Sequence, residues 1–444
     1  MFLNPDFFLN TECARRLYHG TAAHLPIIDF HTHLDPSAIL EDQRFANLSE
    51  LWLQRDHYKW RLMRACGIDE KWITGNASPW EKFEAFASIM PLAAGNPVHQ
   101  WAHMELRSIF GVEQTLNQSN ASTIWQTVNQ RLMDDPATSV RGLLGKFRVE
   151  VVCTTDDPCA DLSAHAAIAA EDFGTQVYPT FRPDRFLEPN PSAMRELADT
   201  VGFAVDDTSS LIKALKQRHL YFHDHGCRMS DHGMNQMPAP GTQAFEVFAQ
   251  IARWNFEKGW TTQLHLGAQR NVNTRMSQLM GPDSGFDTIG SWSQAPALIA
   301  ALDALHQSNS LGRMIVYNLN PNDNAAICCA LQNFQGSTCP GKLQYGPAWW
   351  HLDHKQGILD QIATLTSLGA IGTSVGMLTD SRSFTSYVRH DYYRRLLCQF
   401  IGNAVEAGEF PASENDLESL VANVCHHNAA DYFNWPHNPT SGSM

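Results

Sequence analysis

The stretch Ile27-Ile28-Asp29-Phe30-His31-Thr32-His33-Leu34-Asp35-Pro36, IIDFHTHLDP, begins as an apolar run, turns polar near its end and carries two histidines two positions apart. A strand sends side chains i and i+2 to one face, so His31 and His33 would point together, with Asp29 one step deeper. Two imidazoles on one face can share a metal ion. The pattern alone is met equally by one histidine satisfying a buried polar contact while the other faces solvent.

Similar runs of apolar or β-branched residues ending in polar, Gly or Pro positions recur along the chain. With the first they make about eight: 27–33, 149–155 (VEVVCTT), 176–181 (QVYPTF), 219–223 (HLYFH), 261–266 (TTQLHL), 313–317 (RMIVY), 342–346 (KLQYG) and 372–379 (GTSVGMLT). Longer helical stretches separate them, the pattern of repeated βα units. The expected fold is α/β, a distorted (β/α)8 TIM barrel, although a doubly wound open sheet gives similar local signals. After the first run, residues rich in Trp, Leu, Met and charge show helical spacing and little strand pattern. They read as a helical insertion over 37–145 within a single barrel domain of residues 1–444. Residues 189–218 and 392–435 also read as helical, and the tail 438–444 as frayed.

Bulk properties narrow the classes. A chain of 444 residues is compatible with one large α/β barrel. Charged residues at 18% and hydrophobic residues at 43%, with 12 tryptophans and 23 phenylalanines, suit a globular enzyme with a large core. A formal charge of -14 and no Lys/Arg-rich run argue against a nucleic-acid partner. An anionic small molecule would need a local cationic pocket. The ten cysteines are scattered, with no CxxC pair, so reduced thiols in a cytoplasm are expected. The opening MFLNPDFFLN has no basic segment ahead of an apolar one, and no run of 18 apolar residues occurs, so neither secretion nor a membrane is indicated. A homo-oligomer is compatible with the sequence but not indicated by it.

In a (β/α)8 barrel the active site gathers at the C-terminal ends of the strands. Here those ends are rich in chemistry: His31-Thr-His33, Thr154-Thr155-Asp156-Asp157, Phe181-Arg182-Pro183-Asp184, His265, Asn318-Leu-Asn320, and Asp380-Ser381-Arg382. A borderline cation takes imidazole and carboxylate ligands while leaving a position for substrate, and His31, His33 and Asp380 fit that role. One divalent ion is expected, with Zn2+ the first candidate. His265 is either a further ligand, a partner of one, or a satisfied core histidine; Asp380 has a rival reading as a helix cap. His223 and His225 read as loop structure. Arg182 and Arg382 would face the same mouth, where a guanidinium can grip a carboxylate or oxyanion. On spacing alone His57-Tyr58 reads as a helix surface.

These residues fall within an ordered set of motifs: FHTHL at 30–34, DHYKWR at 56–61, CTTDDP at 153–158, PTFRPD at 179–184, GCRMSDHG at 226–233, LHLGAQRNVNTRM at 264–276, GFDTIG at 285–290, WW at 349–350 and LTDSRSF at 378–384. Over nearly its whole length the chain resembles the uronate isomerases, commonly called glucuronate isomerases, of the metal-dependent amidohydrolase superfamily. The resemblance implies a distorted (β/α)8 barrel with an extra helical region. It also implies aldose–ketose isomerisation of D-glucuronate to D-fructuronate and of D-galacturonate to D-tagaturonate. It implies further that His31, His33 and Asp380 bind the metal, that His265 is a further active-site residue, and that Arg182, Arg382, His57 and Tyr58 contact the sugar acid. Asp380 is the first choice for the proton-shuttling base and Tyr58 the second. No lysine stands at the fourth strand candidate, so a single metal is expected. The rival enzymatic reading is a mononuclear metal-dependent hydrolase, because the fold alone does not choose the chemistry; the non-enzymatic one is a sugar-acid binding protein.

Overall fold

Runs rich in Val, Ile and Thr supply most of the strands, since branched side chains pack well on a pleated surface. In the computed structural model, which describes residues 2–435 except 338 and 412, β1 (Ile27–Asp29), β2 (Val149–Cys153) and β3 (Gln176–Tyr178) form one parallel sheet in that order. β4 (Met229–Met234), β5 (Thr261–Leu266), β6 (Arg313–Asn318) and β7 (Leu343–Tyr345) form a second parallel sheet, also in chain order. The tail at 438–444, read as frayed, lies outside the described residues.

The two sheets follow one another around a barrel that backbone hydrogen bonds leave open at one seam. Beyond β3, Phe181 N donates to Met229 O at 3.2 Å and Asp231 N to Phe181 O at 3.0 Å, which stitches β3 to β4. At the other side an extended segment through residues 374–381 returns to β1. There Asp380 N donates to His31 O at 3.2 Å and His33 N to Ser381 O at 2.9 Å. Between β7 and this last segment no backbone hydrogen bond occurs among the described residues; instead the Gln344 side chain donates to Thr373 O at 2.8 Å. The barrel is therefore distorted at one seam. Across its interior, Gln263 Nε2 on β5 donates to Phe30 O at 3.4 Å, and Tyr317 on β6 donates to Gln263 Oε1 at 2.5 Å.

Two of the expected strands differ. Residues 219–223 belong to the helix Thr208–Asp224, where Asp207 and Ser210 form a capping box. Its buried positions Leu211, Ala214, Leu215, Arg218, His219 and Phe222 follow a 3.6-residue period, which outweighs the local aromatic content of HLYFH. The fourth strand is instead MSDHGM at 229–234, a run without β-branched residues. At the eighth position, residues 371–373 form a 3-10 turn and the rest is extended without a regular ladder. Gly376, at φ 78°, bends that run, and a Cβ there would collide with the carbonyl of Val424.

Between β1 and β2 the chain has no strand and seven α-helices, from Pro36–Leu40 to Val140–Lys146. One of them, His57–Ala65, is capped by Asp56, whose Oδ1 accepts from Tyr58 N at 2.9 Å. This helix is roofed by a loop: Arg61 donates to Asp287 O at 2.6 Å and Arg64 to Ser284 O at 2.7 Å. All ten cysteines are free, and no described helix is long and apolar enough to cross a membrane.

A buried carboxylate fastens the returning segment. Asp29 accepts from Thr379 N at 2.9 Å and from Thr379 Oγ1 at 2.6 Å. Replacing Asp29 by Ala strands both donors in the core, at about 1–3 kcal/mol for each buried group left unpaired. Asp29→Ala should lower unfolding stability by that order in denaturant titration; an unchanged midpoint would show that the closure does not depend on this contact.

Candidate active site

Closure of the barrel places the polar strand ends around one cavity of about 610 Å3. All eight site residues expected from the sequence line it. Asp380 Oδ1 lies 3.1 Å from His31 Nε2 and 3.1 Å from His33 Nε2. The two imidazoles, 5.2 Å apart between ring centres, stand nearly perpendicular and both reach the same carboxylate oxygen. Asp380 is held with φ 48°, in the left-handed region that few side-chain-bearing residues adopt. Its backbone N–H is engaged by His31 O, so the strain is balanced by the same contact that closes the barrel.

Protonation states follow from burial and partners. Burial opposes ionisation of Asp380, but the hydrogen bonds and charges of His31 and His33 outweigh it and hold the carboxyl well below the usual carboxylate range. Burial dominates at His33 and pushes it down to about 4. At His31 burial is outweighed by Asp231 and Asp380, which raise it. An anionic carboxylate and imidazole nitrogens converging on one point are the donor set of a divalent cation. One ligand atom from each of His31, His33 and Asp380 lies within 4.8 Å of the others, so the residues fit such an ion. Asp231 Oδ2, 3.9 Å from His31 Nδ1, stands where a carboxylate orients a ligand histidine.

Asp231 lies on β4, whose MSDHGM run has no β-branched residue, so the sequence pattern does not mark it. It also accepts from His265 Nδ1 at 2.6 Å and pairs with Arg182 Nη1 at 3.2 Å. His31, Asp231 and His265 form a second converging trio, but the direct bond between Asp231 and His265 and the guanidinium beside it leave that trio internally paired. The true fourth strand carries no lysine either. His265 is stacked on Tyr317 at 4.1 Å, and burial lowers its pKa against the pull of Asp231.

Arg182 bonds Asp184 Oδ2 at 2.8 Å as well as Asp231. It passes so close to Gly233 that a Cβ there would sit 2.5 Å from its Nη2. Arg382, which also lines the cavity, donates to Asp283 Oδ2 at 3.1 Å. Tyr58 donates to Asp353 Oδ2 at 3.2 Å, and its ring lies 5.0 Å from that of His57. Asp353 and its partner Arg389 stand in a connection and on a helix, away from the strand ends that the sequence pattern marks. Among the described residues, buried His57 Nε2 and His265 Nε2 have no hydrogen-bond partner, so each is free to meet a polar group in the cavity. His223 and His225 sit away from the cavity at the end of the helix Thr208–Asp224. There Trp260 Nε1 donates to His223 Nδ1 at 3.0 Å, and His225 Nδ1 lies 2.8 Å from Tyr221 O.

Comparison with known proteins places this geometry in a family. The family model described as glucuronate isomerase matches residues 1–248 and 242–433. A uronate isomerase of Caldicellulosiruptor bescii is 41% identical, with 97% of this chain and 99% of that protein covered. One from Bacillus pumilus is 42% identical over 97% of this chain and 96% of its own length. The crystal structure of uronate isomerase from Thermotoga maritima superposes with a TM-score of 0.90 at 29% identity, covering 98% of this chain and 100% of that one. The fold is shared with glucuronate isomerase from Caulobacter crescentus, at a TM-score of 0.88 and 24% identity over 97% and 96% of the two chains. The α/β barrel with its paired histidines at the first strand end therefore belongs to the glucuronate isomerase family.

Proposed function

We propose that this chain interconverts D-glucuronate with D-fructuronate, and D-galacturonate with D-tagaturonate, through a cis-enediol formed in the cavity described above. The observation that carries the proposal is the convergence of His31, His33 and Asp380 in a cavity that Arg182 and Arg382 also line, in a chain of the glucuronate isomerase family. Its ten free thiols are in keeping with a reducing cytoplasm.

Moving a carbonyl from C1 to C2 takes a proton from C2 and returns it to C1, while a proton on oxygen passes from O2 to O1. The first transfer needs an ionised base, and the second a donor beside the developing oxyanion. Asp380, held ionised by its histidine partners, takes the C2 proton and delivers it to C1 on the same face. Tyr58, whose hydroxyl burial and nearby Asp353 keep protonated, donates to O1 and recovers the proton from O2. Arg382 and His57 hold the charge that grows on these oxygens. Arg182 grips the substrate carboxylate, with Asp231 and Asp184 fixing its plane. His265 keeps Asp231 in place beneath it. A divalent cation, with Zn2+ the first candidate, would be held by His31, His33 and Asp380 and would supply a positive charge to orient substrate oxygens. The roof formed by the helix His57–Ala65 and the loop at 281–290 limits water in the site.

Mixing the protein with D-glucuronate should produce a ketose, seen by proton NMR. No ketose, together with hydrolysis of an amide, lactone or phosphoester, would overturn the reading. Asp380→Asn should lower kcat by about 10²–10⁴, the usual cost of a lost general base, with the fold retained; near-normal turnover removes Asp380 from the proton path. Arg182→Met removes charge-assisted hydrogen bonds worth about 1.5–3 kcal/mol each, so KM should rise about tenfold or more with kcat little changed. An unchanged KM would contradict its role at the carboxylate.

A further inference from the structure

The connection after β7 carries a carboxylate that no motif of the sequence placed. Asp353 follows the short turn Trp350–Leu352 and is 3% exposed. One oxygen, Oδ2, accepts from the Tyr58 hydroxyl at 3.2 Å and from Arg389 Nη1 at 3.2 Å. Arg389, on the helix Val388–Glu406, lies over the Tyr58 ring at 4.8 Å and also donates to Thr379 O at 3.1 Å. Tyr58 and Arg389 line the cavity, and Asp353 sits behind them. The phenol is thus fixed at its hydroxyl by a carboxylate and on its face by a guanidinium.

We infer that Asp353 is a positioning residue for the isomerisation, holding the Tyr58 hydroxyl in register with the substrate oxygens; the inference rests on the reading of Tyr58 as the donor to those oxygens. An ion pair between Asp353 and Arg389 would stabilise the core without any tyrosine. The third contact ties that pair to a group on the cavity wall. Asp353 is faced by Tyr58 and Asp56 from the capped helix, by Arg389 and Tyr392 from the helix behind, and by Asp380 from the last barrel segment. Burial, reinforced by the charges of Asp380 and Asp56, pushes its carboxyl up to about 7 against the pull of Arg389. The positioning rests on the shared oxygen: Oδ2 accepts from the Tyr58 hydroxyl while Arg389 holds it from the other element, which fixes the place of the phenol.

The test is a double-mutant cycle on the full protein with D-glucuronate, since residues acting through one another give non-additive losses. Asp353→Asn should lower kcat about 10²-fold, the scale of a misplaced catalytic group, with KM little changed and the melting transition retained. In a Tyr58→Phe background the same substitution should cost almost nothing further. Losses that multiply would overturn the positioning role while leaving Tyr58 as donor. Full kcat in Tyr58→Phe would remove both the donor reading and this inference. Should Asp353→Asn fail to fold, Asp353→Glu enters the same cycle. It keeps the charge Arg389 requires and displaces the oxygen Tyr58 reaches, so a kcat equal to that of the parent protein would overturn the inference.

Discussion

The backbone pairing of the first strand end with the last barrel segment is the constraint on which the rest depends. His31 and Asp380 are 349 positions apart in the chain, yet Asp380 N rests on His31 O and His33 N on Ser381 O. The same two exchanges that close the cylinder set the carboxylate against both imidazoles. Asp29 locks them from below by capturing both donors of Thr379. A barrel open at this seam would still have strands, but its charged ends would not share a cavity.

Closure also creates the electrostatic problem that the site uses. Asp380, Asp231, Arg182 and the histidines are withdrawn from water, and each charge persists only because an opposite charge or a hydrogen bond faces it. Asp231 serves His31, His265 and Arg182 together, so one carboxylate orients the proposed metal side and the proposed carboxylate side of the cavity. The strained backbone of Asp380 fits the same pattern: local preference yields where the proposed chemistry needs one fixed oxygen. The seam beside β7 shows the cost in regularity, since the segment that carries Asp380 gives up its ladder to follow Gly376 around Val424.

The sequence made these points legible to different degrees. The HTH and DSR stretches stood out because chemistry-bearing residues end apolar runs, and barrel geometry gives strand ends a shared address. The fourth strand was hidden: MSDHGM has no β-branched residue, while the nearby HLYFH imitates a strand although its burial follows a helical period. Asp231 was lost with that strand. Asp353 and Arg389 were illegible for another reason, because they approach the cavity from a connection and a helix, where no spacing marks a residue as facing a site. His57-Tyr58 read as helix surface on spacing, and only the capped helix bending over the barrel mouth makes them part of the wall.

The most direct measurement is a crystal structure of the protein with Zn2+ and L-gulonate, the unreactive acid obtained when the aldehyde of glucuronate is reduced, with the metal located by anomalous scattering. The account requires one cation within coordination distance of His31, His33 and Asp380, and the ligand carboxylate against Arg182. A cation seated between Asp231 and His265, or a carboxylate turned toward Arg382, would contradict it.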